Sequence, residues 1–193
     1  MNRLQNTSNI INHLQYYSGA SRFFSKFGDA WNAVKGQVLK LETRQYYREP
    51  GNPSFEALEA GDFYKALQIL PEARSEDVDL YQSLSRRNVD FIRCRPIVKP
   101  ITDYLRWELE CYRFNASYGE RIYFLERSSI FDELALHDFM VFDRCMAFVH
   151  DYDETGEIRG GWMTTEKSDI DTLLMLFSII KADAVCYLNY PLE

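Results

Sequence analysis

Several side chains in this sequence have the types and spacing to do chemistry. Arg93 and Arg95 stand two apart in VDFIRCRPIV (89–98), so on a strand they share one face. Tyr104 and Glu108 are four apart in the helix-like run that follows. Glu120 opens the next β-rich run, ERIYFLE (120–126), and His137, Asp138 and Asp143 border HDFMVFDRCMAFVH (137–150). Guanidinium groups facing carboxylates can clamp a polar ligand, and a histidine beside them can serve as acid, base or nucleophile. The same residues also make a structural ion-pair network across neighbouring strands. Both readings stay open, because open α/β sheets bind ligands at their strand ends.

Other chemistries lack their residues. There is no GxSxG, no GxxxxGK[ST] and no HExxH, and GGW (160–162) is too short for a phosphate loop. His13, His137 and His150 are scattered. His150 with Asp151 and Asp153 imitates a metal site, but DYDETG reads as a turn. No metal and no cofactor is expected. Cys94, Cys111, Cys145 and Cys186 form no CxxC and read as free thiols on core elements of a cytosolic protein. With 22 basic and 29 acidic residues the net charge is −7, which argues against a nucleic-acid partner. Arg86, Arg87, Arg93, Arg95 and Lys99 could form a basic patch, or equally a solvated helix end plus strand charges. No signal-like run opens the chain and no stretch is apolar enough to span a membrane, so a cytoplasmic location is expected.

These side chains need elements to hold them. Residues 1–20 read as a loose helix or an arm. Residues 21–46 read as helical, with Phe23, Phe24, Phe27, Ala30, Trp31, Val34, Val38 and Leu41 near a 3.6 period; Gly28 and Gly36 are possible breaks. REPGNPSF (48–55) is a turn region, followed by a short helix to Gly61. A helix over 74–87 ends at Asn88, and a strand over 89–98 stops at Pro96 and Pro100. Thr102 caps a helix ended by Gly119, in which Arg106 and Glu110 form an i, i+4 pair. The strand 120–126, a hairpin (138–142 and 145–150) turning at Asp143-Arg144, and a short strand near 157–160 come next. A last helix over 169–186 has Ser168 and Asp171 as its capping signal. This alternation predicts an α/β or α+β fold with helices packed on a sheet. The unit 89–126 is expected to be a parallel crossover.

Two resemblances rest on these residues. IRCRPIVKPITDYLRWELECYRFNASYGERIYFLER with LHDFMVFDRCMAFVHDYDETGEIRGG resembles a bacterial, mainly actinobacterial, domain family of unknown function, often encoded beside helix-turn-helix regulators. Its pattern is R-x-R-V-x-x-E-P-x-T-x-Y-x-R-F-E, then N-x-x-x-G-E, then D-F-W-L-F-D. Arg93, Arg95, Pro100, Thr102, Tyr104, Arg106, Glu108, Asn115, Gly119, Glu120, Asp138, Phe139, Phe142 and Asp143 stand at those positions. Lys99, Trp107 and Met140 depart from it. LKLETRQYY (39–47) and FEALEAGDF (55–63) extend the likeness to about residues 23–190. It brings no known activity. The layout is also similar to a phospholipase D-like half-domain, whose H-x-K-x-x-x-x-D motif supplies a nucleophilic histidine and a phosphate-binding lysine. Here His137 is in place, Phe139 occupies the lysine position, and Asp143 falls one residue early, with Arg144 in its stead. Only one such motif is present. The resemblance implies a mixed, largely parallel sheet with flanking helices over 71–193, preceded by a helical segment over 1–70, and a catalytically inactive site.

The expected function is a non-catalytic, cytoplasmic, regulatory module that binds a small ligand or a protein partner such as a helix-turn-helix regulator, as a homodimer. Its ligand-binding candidates are Arg93, Arg95, Tyr104, Glu108, Glu120, Asp138 and Asp143. The alternative is an enzyme of a bacterial biosynthetic or defence cluster. It would act on a small substrate, with or without phosphate, at a pocket of Arg93, Arg95, Glu108, Glu120, His137 and Asp143. A third reading makes residues 1–60 a contact arm for a partner.

Overall fold

Apolar, β-branched and aromatic runs build the strands, and a computed structural model describes residues 7–191. The first elements are a helix α1 (Thr7–Ile11), a strand β1 (Gln15–Ser18), and the helices α2 (Ala20–Phe24) and α3 (Phe27–Ala33). The helical stretch expected over 21–46 ends there: Val34 turns to an extended conformation, and Gln37–Leu41 form the strand β2. Val38 and Leu41 fit a helical period only by coincidence. Pairing with strands on both sides outweighs local propensity. The helical segment expected over 1–70 therefore contains two strands of the sheet, and the arm expected over 1–20 is α1 and β1. Its first six residues lie outside the described ones.

Three helices follow: α4 (Pro53–Glu59), α5 (Phe63–Ala73) and α6 (Ser75–Arg86). Pro53 occupies the first position of α4, where its missing N–H costs nothing, and Asn52 accepts from the Ser54 and Phe55 amides. After α6, Asn88 takes a φ of 53° and the chain enters β3 (Asp90–Ile97). Pro96 does not stop this strand. Its carbonyl meets the Gln45 side chain at 2.8 Å, beyond the last β2–β3 pair, Leu41–Cys94, so no ladder bond needs its absent N–H. The helix α7 (Asp103–Ser117) begins at Thr102, whose hydroxyl accepts from the Leu105 amide at 3.1 Å. Arg106 and Glu110 do not pair; they bridge to Asp103 and Arg113 instead.

The remaining elements are β4 (Arg121–Glu126), α8 (Ile130–Glu133), the hairpin β5 (Phe139–Phe142) and β6 (Met146–Tyr152), β7 (Ile158–Thr164), α9 (Lys167–Ala182) and the short β8 (Val185–Cys186). Glu166 precedes α9 without a side-chain cap bond, so Ser168 and Asp171 are no capping box; Asp171 pairs with Arg144 and Lys167. Among the described residues the four cysteines are free, but Cys145 is exposed at the hairpin turn rather than in the core.

Among the described residues, eight strands make one sheet in the order β1-β7-β6-β5-β2-β3-β4-β8. It is mixed with flanking helices, as expected, and β3-α7-β4 is the expected parallel unit. The parallel part is confined to β2-β3-β4, however, and the other neighbours run antiparallel. The expectation of a largely parallel sheet is corrected on this point. Short connections join β5, β6 and β7, and tight turns force antiparallel neighbours.

Helix α9 covers one face of the sheet, with Leu173 and Phe177 on Leu41, Cys94, Phe139 and Val149. Helices α2 and α3 cover half of the other face, with Phe23 and Phe27 on Phe142 and Phe148. Helix α7 covers β3 and β4 beside them, and α4 and α5 pack on its outer side through Phe55, Leu70 and Trp107. Gly160 and Gly161 lie where β1 and β6 close on β7. A Cβ on Gly161 would stand 2.3 Å from the Val149 carbonyl oxygen and 2.5 Å from the Phe23 ring. GGW is thus a packing device.

Candidate functional site

The side chains of β3 that face α7 include Phe91, Arg93 and Arg95, because alternate residues point the same way. Beside them, β2 presents Lys40 and Glu42, with Lys40 opposite Arg93 in the register. Helix α7 lowers Glu108 and Tyr112 onto this polar strip, and Glu120 enters from the start of β4. The result is a buried ion network. Arg93 donates through Nη1 to Glu42 Oε1 and through Nε to Glu120 Oε1 at 2.6 Å. Arg95 lies 3.5 Å from Glu42 and 3.6 Å from Glu108, and donates to the Tyr112 hydroxyl and the Arg44 carbonyl. Lys40 Nζ is 2.9 Å from Glu42. Tyr81 and Tyr112 donate to Glu120 and Glu42 at 2.7 and 2.5 Å. The Arg95 guanidinium also sits over the rings of Tyr47, Tyr104 and Tyr112.

Charge matches charge in this cluster: Lys40, Arg93 and Arg95 face Glu42, Glu108 and Glu120. Burial raises the Glu42 pKa, but Arg93, Lys40 and Arg95 outweigh it and hold the carboxyl well below the usual range. Glu49, on the loop before α4, is the opposite case. Burial and the nearby Glu108 push it up to about 7, against a hydrogen bond from Asn52. Burial, reinforced by Glu120, raises the Tyr81 hydroxyl.

A cavity of about 500 Å³ opens over this strip, within the range that holds small molecules. Lys40, Glu42, Arg93 and Met140 line its floor. Trp31 from α3, Tyr81 from α6, Phe91 and Tyr152 supply aromatic walls, and Arg48, Glu49, Arg74, Glu108 and Asn115 add polar groups. Asn115 is buried and accepts from Arg74 Nη2 at 2.7 Å.

The residues singled out in the sequence divide into three groups. Arg93 and Glu108 line the cavity, and Arg95, Tyr104 and Glu120 stand directly behind it. Asp138 is one step further: it accepts from Thr43 N–H and hydroxyl at 2.8 and 2.6 Å and from the Tyr47 hydroxyl. Burial raises its pKa against those bonds. His137 and Asp143 are elsewhere. His137 meets Thr7 Oγ1 at 3.3 Å through Nδ1 and packs edge-on against Trp162, and burial lowers its pKa. Asp143, at φ 50°, accepts from the amides of Lys35, Gly36 and Gln37. Those bonds hold its pKa down against partial burial and tie the hairpin turn to the entry of β2. A pocket combining His137 and Asp143 with the arginines does not form.

Phe139 is fully buried under α9. His150 lies buried among Phe23, Phe27 and Tyr152. Burial, then Lys40, lowers its pKa to about 3. Asp151 takes the Tyr16 hydroxyl and Asp153 organises a turn with Thr155 and Glu157. Among the described residues no group of three His, Cys, Asp or Glu side chains could hold a metal ion. The basic patch dissolves as well: Arg93 and Arg95 are buried, and Arg87 caps the carbonyls of Trp31, Asn32 and Val34.

Sequence reasoning missed Lys40, Glu42, Glu49, Arg74 and Tyr81. The signal for the first two was the alternation in VLKLE, which puts Lys40 and Glu42 on one face and Leu39 and Leu41 on the other. The other three come from loops and helices whose placement only the fold defines.

The mixed sheet with flanking helices is similar in fold to a phospholipase D family member. Nuc from Salmonella typhimurium, a phospholipase D family member, superposes with a TM-score of 0.56 at 10% identity, over 90% of this chain and 97% of that one. TrmBL2, an archaeal chromatin protein whose structure shows a novel mode of DNA binding, superposes with a TM-score of 0.52 at 9% identity, over 90% of this chain and 52% of that one. Identities this low show the fold alone. Among curated protein sequences, none matches this chain. The chain belongs to the DUF6879 family, a domain of unknown function, whose model matches residues 25–191.

Proposed function

We propose that this domain is a ligand-binding module without phosphodiester chemistry, and that it takes a small molecule into the cavity over β2, β3 and β5. The observation that carries the reading is the cavity itself. Its floor is an ion network already built and neutralised, and its walls offer aromatic rings. Such pre-organisation lowers the ordering cost of binding. Arg93 and Asn115 line the cavity with N–H groups that can orient a guest.

Residues that would serve a phosphodiesterase are occupied otherwise: His137 with Thr7, Phe139 in the core, Asp143 at a turn. Each cation on the cavity wall also has a carboxylate partner already, Lys40 and Arg93 with Glu42, Arg48 with Glu157, Arg74 with Asp77. That pairing weighs against a phosphate-bearing guest. A second reading, acid–base catalysis in the cavity, draws on Glu49, whose pKa near 7 suits proton transfer at neutral pH. A regulatory role beside a helix-turn-helix partner rests on the family resemblance, a homodimer on the single phospholipase D-like half, and a cytoplasmic location on the sequence pattern. Light scattering checks the oligomeric state.

Native mass spectrometry of the chain after incubation with a host metabolite extract tests the binding reading. Wild type is expected to retain a small-molecule adduct, and Leu80→Trp, which fills the cavity from its α6 wall, to lose it. Equal adducts on both proteins, or none on wild type, would sink the reading.

A further inference from the structure

Counting the pairs around the cavity leaves Glu49 without an ion pair, beside Glu108, whose pair with Arg95 is a long one. Lys40, Arg48, Arg74 and Arg93 each have an acidic partner within 3.2 Å. Glu49 has no ion-pair partner among the described residues; its close contact is the Asn52 amide at 2.9 Å. Glu108 is 8% exposed, yet its nearest donors are the Tyr104 hydroxyl at 3.4 Å and Arg95 at 3.6 Å. Both distances are too long for a good hydrogen bond. The Tyr104 hydroxyl lies 3.4 Å from Glu49 Oε1 as well. Two carboxylates thus converge on one hydroxyl that has a single proton to donate. A buried carboxylate with poor donors is costly and invites a partner.

We infer that the cavity selects a guest bearing a primary ammonium or guanidinium group, seated between Glu49 and Glu108 against the aromatic wall. The inference rests on the binding reading above and specifies its chemistry. The cation supplies the close donor that Glu108 lacks and the ion pair that Glu49 lacks. Trp31, Tyr81 and Tyr152 line the same cavity and give an aromatic body attached to the cation apolar surface to pack on. Asn115 is 1% exposed and lines the cavity, with its Oδ1 taken by Arg74. That amide and Arg93 Nη2 suit an acceptor oxygen elsewhere on the guest.

The groups around Glu49 make binding pH-dependent. Glu108, Tyr104 and Cys111 face it from α7, Arg74 from the α5–α6 junction, Lys40 from β2 and Tyr152 from β6. In the empty cavity Glu49 gives up its proton only near pH 7. A cationic guest needs it ionised, so affinity rises with pH up to about 7 and levels off above, with a proton released on binding below that point. From pH 8 to pH 6 the ionised fraction falls about tenfold, and the dissociation constant rises by the same factor.

Three probes share a ring and differ in the head group: tyramine (ammonium), tyrosol (hydroxyl) and 4-hydroxyphenylacetate (carboxylate). Agmatine adds a guanidinium and an amine without a ring. Calorimetry on the full chain at pH 8 should show tyramine or agmatine binding at least about tenfold tighter than tyrosol and 4-hydroxyphenylacetate, and about tenfold weaker at pH 6. Glu49→Gln, which breaks no ion pair, should weaken the amine about tenfold and abolish the pH effect. Glu108→Gln should weaken it similarly. Tyrosol or the carboxylate binding as tightly as the amines would overturn the inference and leave the cavity reading standing. Absence of binding by both amines would also overturn it. The cavity reading itself falls only with the adduct experiment on Leu80→Trp, so the two failures are separable.

Discussion

Replacing Glu42 by glutamine keeps its shape and removes one charge from the network. Glu42 is 4% exposed and meets Lys40, Arg93, Arg95 and the Tyr112 hydroxyl. Three cations then face two carboxylates, Glu108 and Glu120. Removing one partner of a buried pair costs about 3–5 kcal/mol, because an uncompensated charge is left in low dielectric. Glutamine still accepts from Tyr112 and Arg93, so the lower end, about 3 kcal/mol, is expected. For a chain of 193 residues this corresponds to a Tm drop of roughly 6–12 °C. Urea denaturation followed by tryptophan fluorescence reads the difference, with Glu110→Gln as the control. Glu110 bridges Arg113 at the surface, where side chains are 35% and 65% exposed, and its loss should cost under about 1 kcal/mol. The pH profile adds a second check. The folded-state pKa of Glu42 is depressed from its ordinary 4.5, so its stabilisation is fully present above that value and lost as pH falls towards the folded pKa. The gap between wild type and Glu42→Gln should therefore stay constant from pH 5 to 8 and narrow below about 4.5. A Glu42→Gln protein within about 1 kcal/mol of wild type at pH 7 would refute the account of the network as interlocked charges.

His150→Phe should flatten the acid limb of the stability profile. The folded pKa near 3 against an unfolded 6.5 means wild type loses roughly 4–5 kcal/mol as pH falls through that window, and the variant lacks that loss; urea midpoints at pH 7, 5 and 4 measure it. Gly161→Ala should destabilise by about 1–3 kcal/mol, since its Cβ meets the Val149 carbonyl oxygen and the Phe23 ring; a thermal melt unchanged from wild type would contradict that packing. His137→Ala should cost about 1 kcal/mol through its contacts with Thr7 and Trp162. Amine binding should be unchanged, and a tenfold loss would place His137 in the site after all.

Much of the local architecture could be read before any coordinates. The punctuation at Pro53, Asn88, Thr102 and Gly119 marks helix and strand ends by backbone chemistry alone, so α4, α6, β3, α7 and β4 fall where their residues predict. The hairpin at 138–150 declares itself by its apolar run and by Asp143, which tolerates a positive φ at its turn, although its first strand is buried on both faces rather than alternating. Polar residues in β-rich runs at Arg93 and Arg95, and Glu108 amid apolar helix positions, pointed to the strip beneath the cavity. A buried charge needs a partner wherever it occurs, and that is a property of the residues themselves.

Tertiary structure decided the rest. QVLKL is a strand because β3 and β5 pair with it on both sides, a long-range effect that a period count over 21–46 cannot contain. That one difference concealed Lys40 and Glu42, and with them the charge that anchors both arginines. Which carboxylate remains unmatched depended on which cation each loop and helix delivered. Arg74 went to Asp77 and Asn115, Arg48 to Glu157, and Glu49 was left beside Glu108. His137 and Asp143 carry side chains fit for catalysis, but the same folding spent them on Thr7 and on the amides of 35–37. Residue types alone determine what a side chain can do. The neighbours that exclude water from it, and satisfy or abandon its hydrogen bonds, determine what it does here.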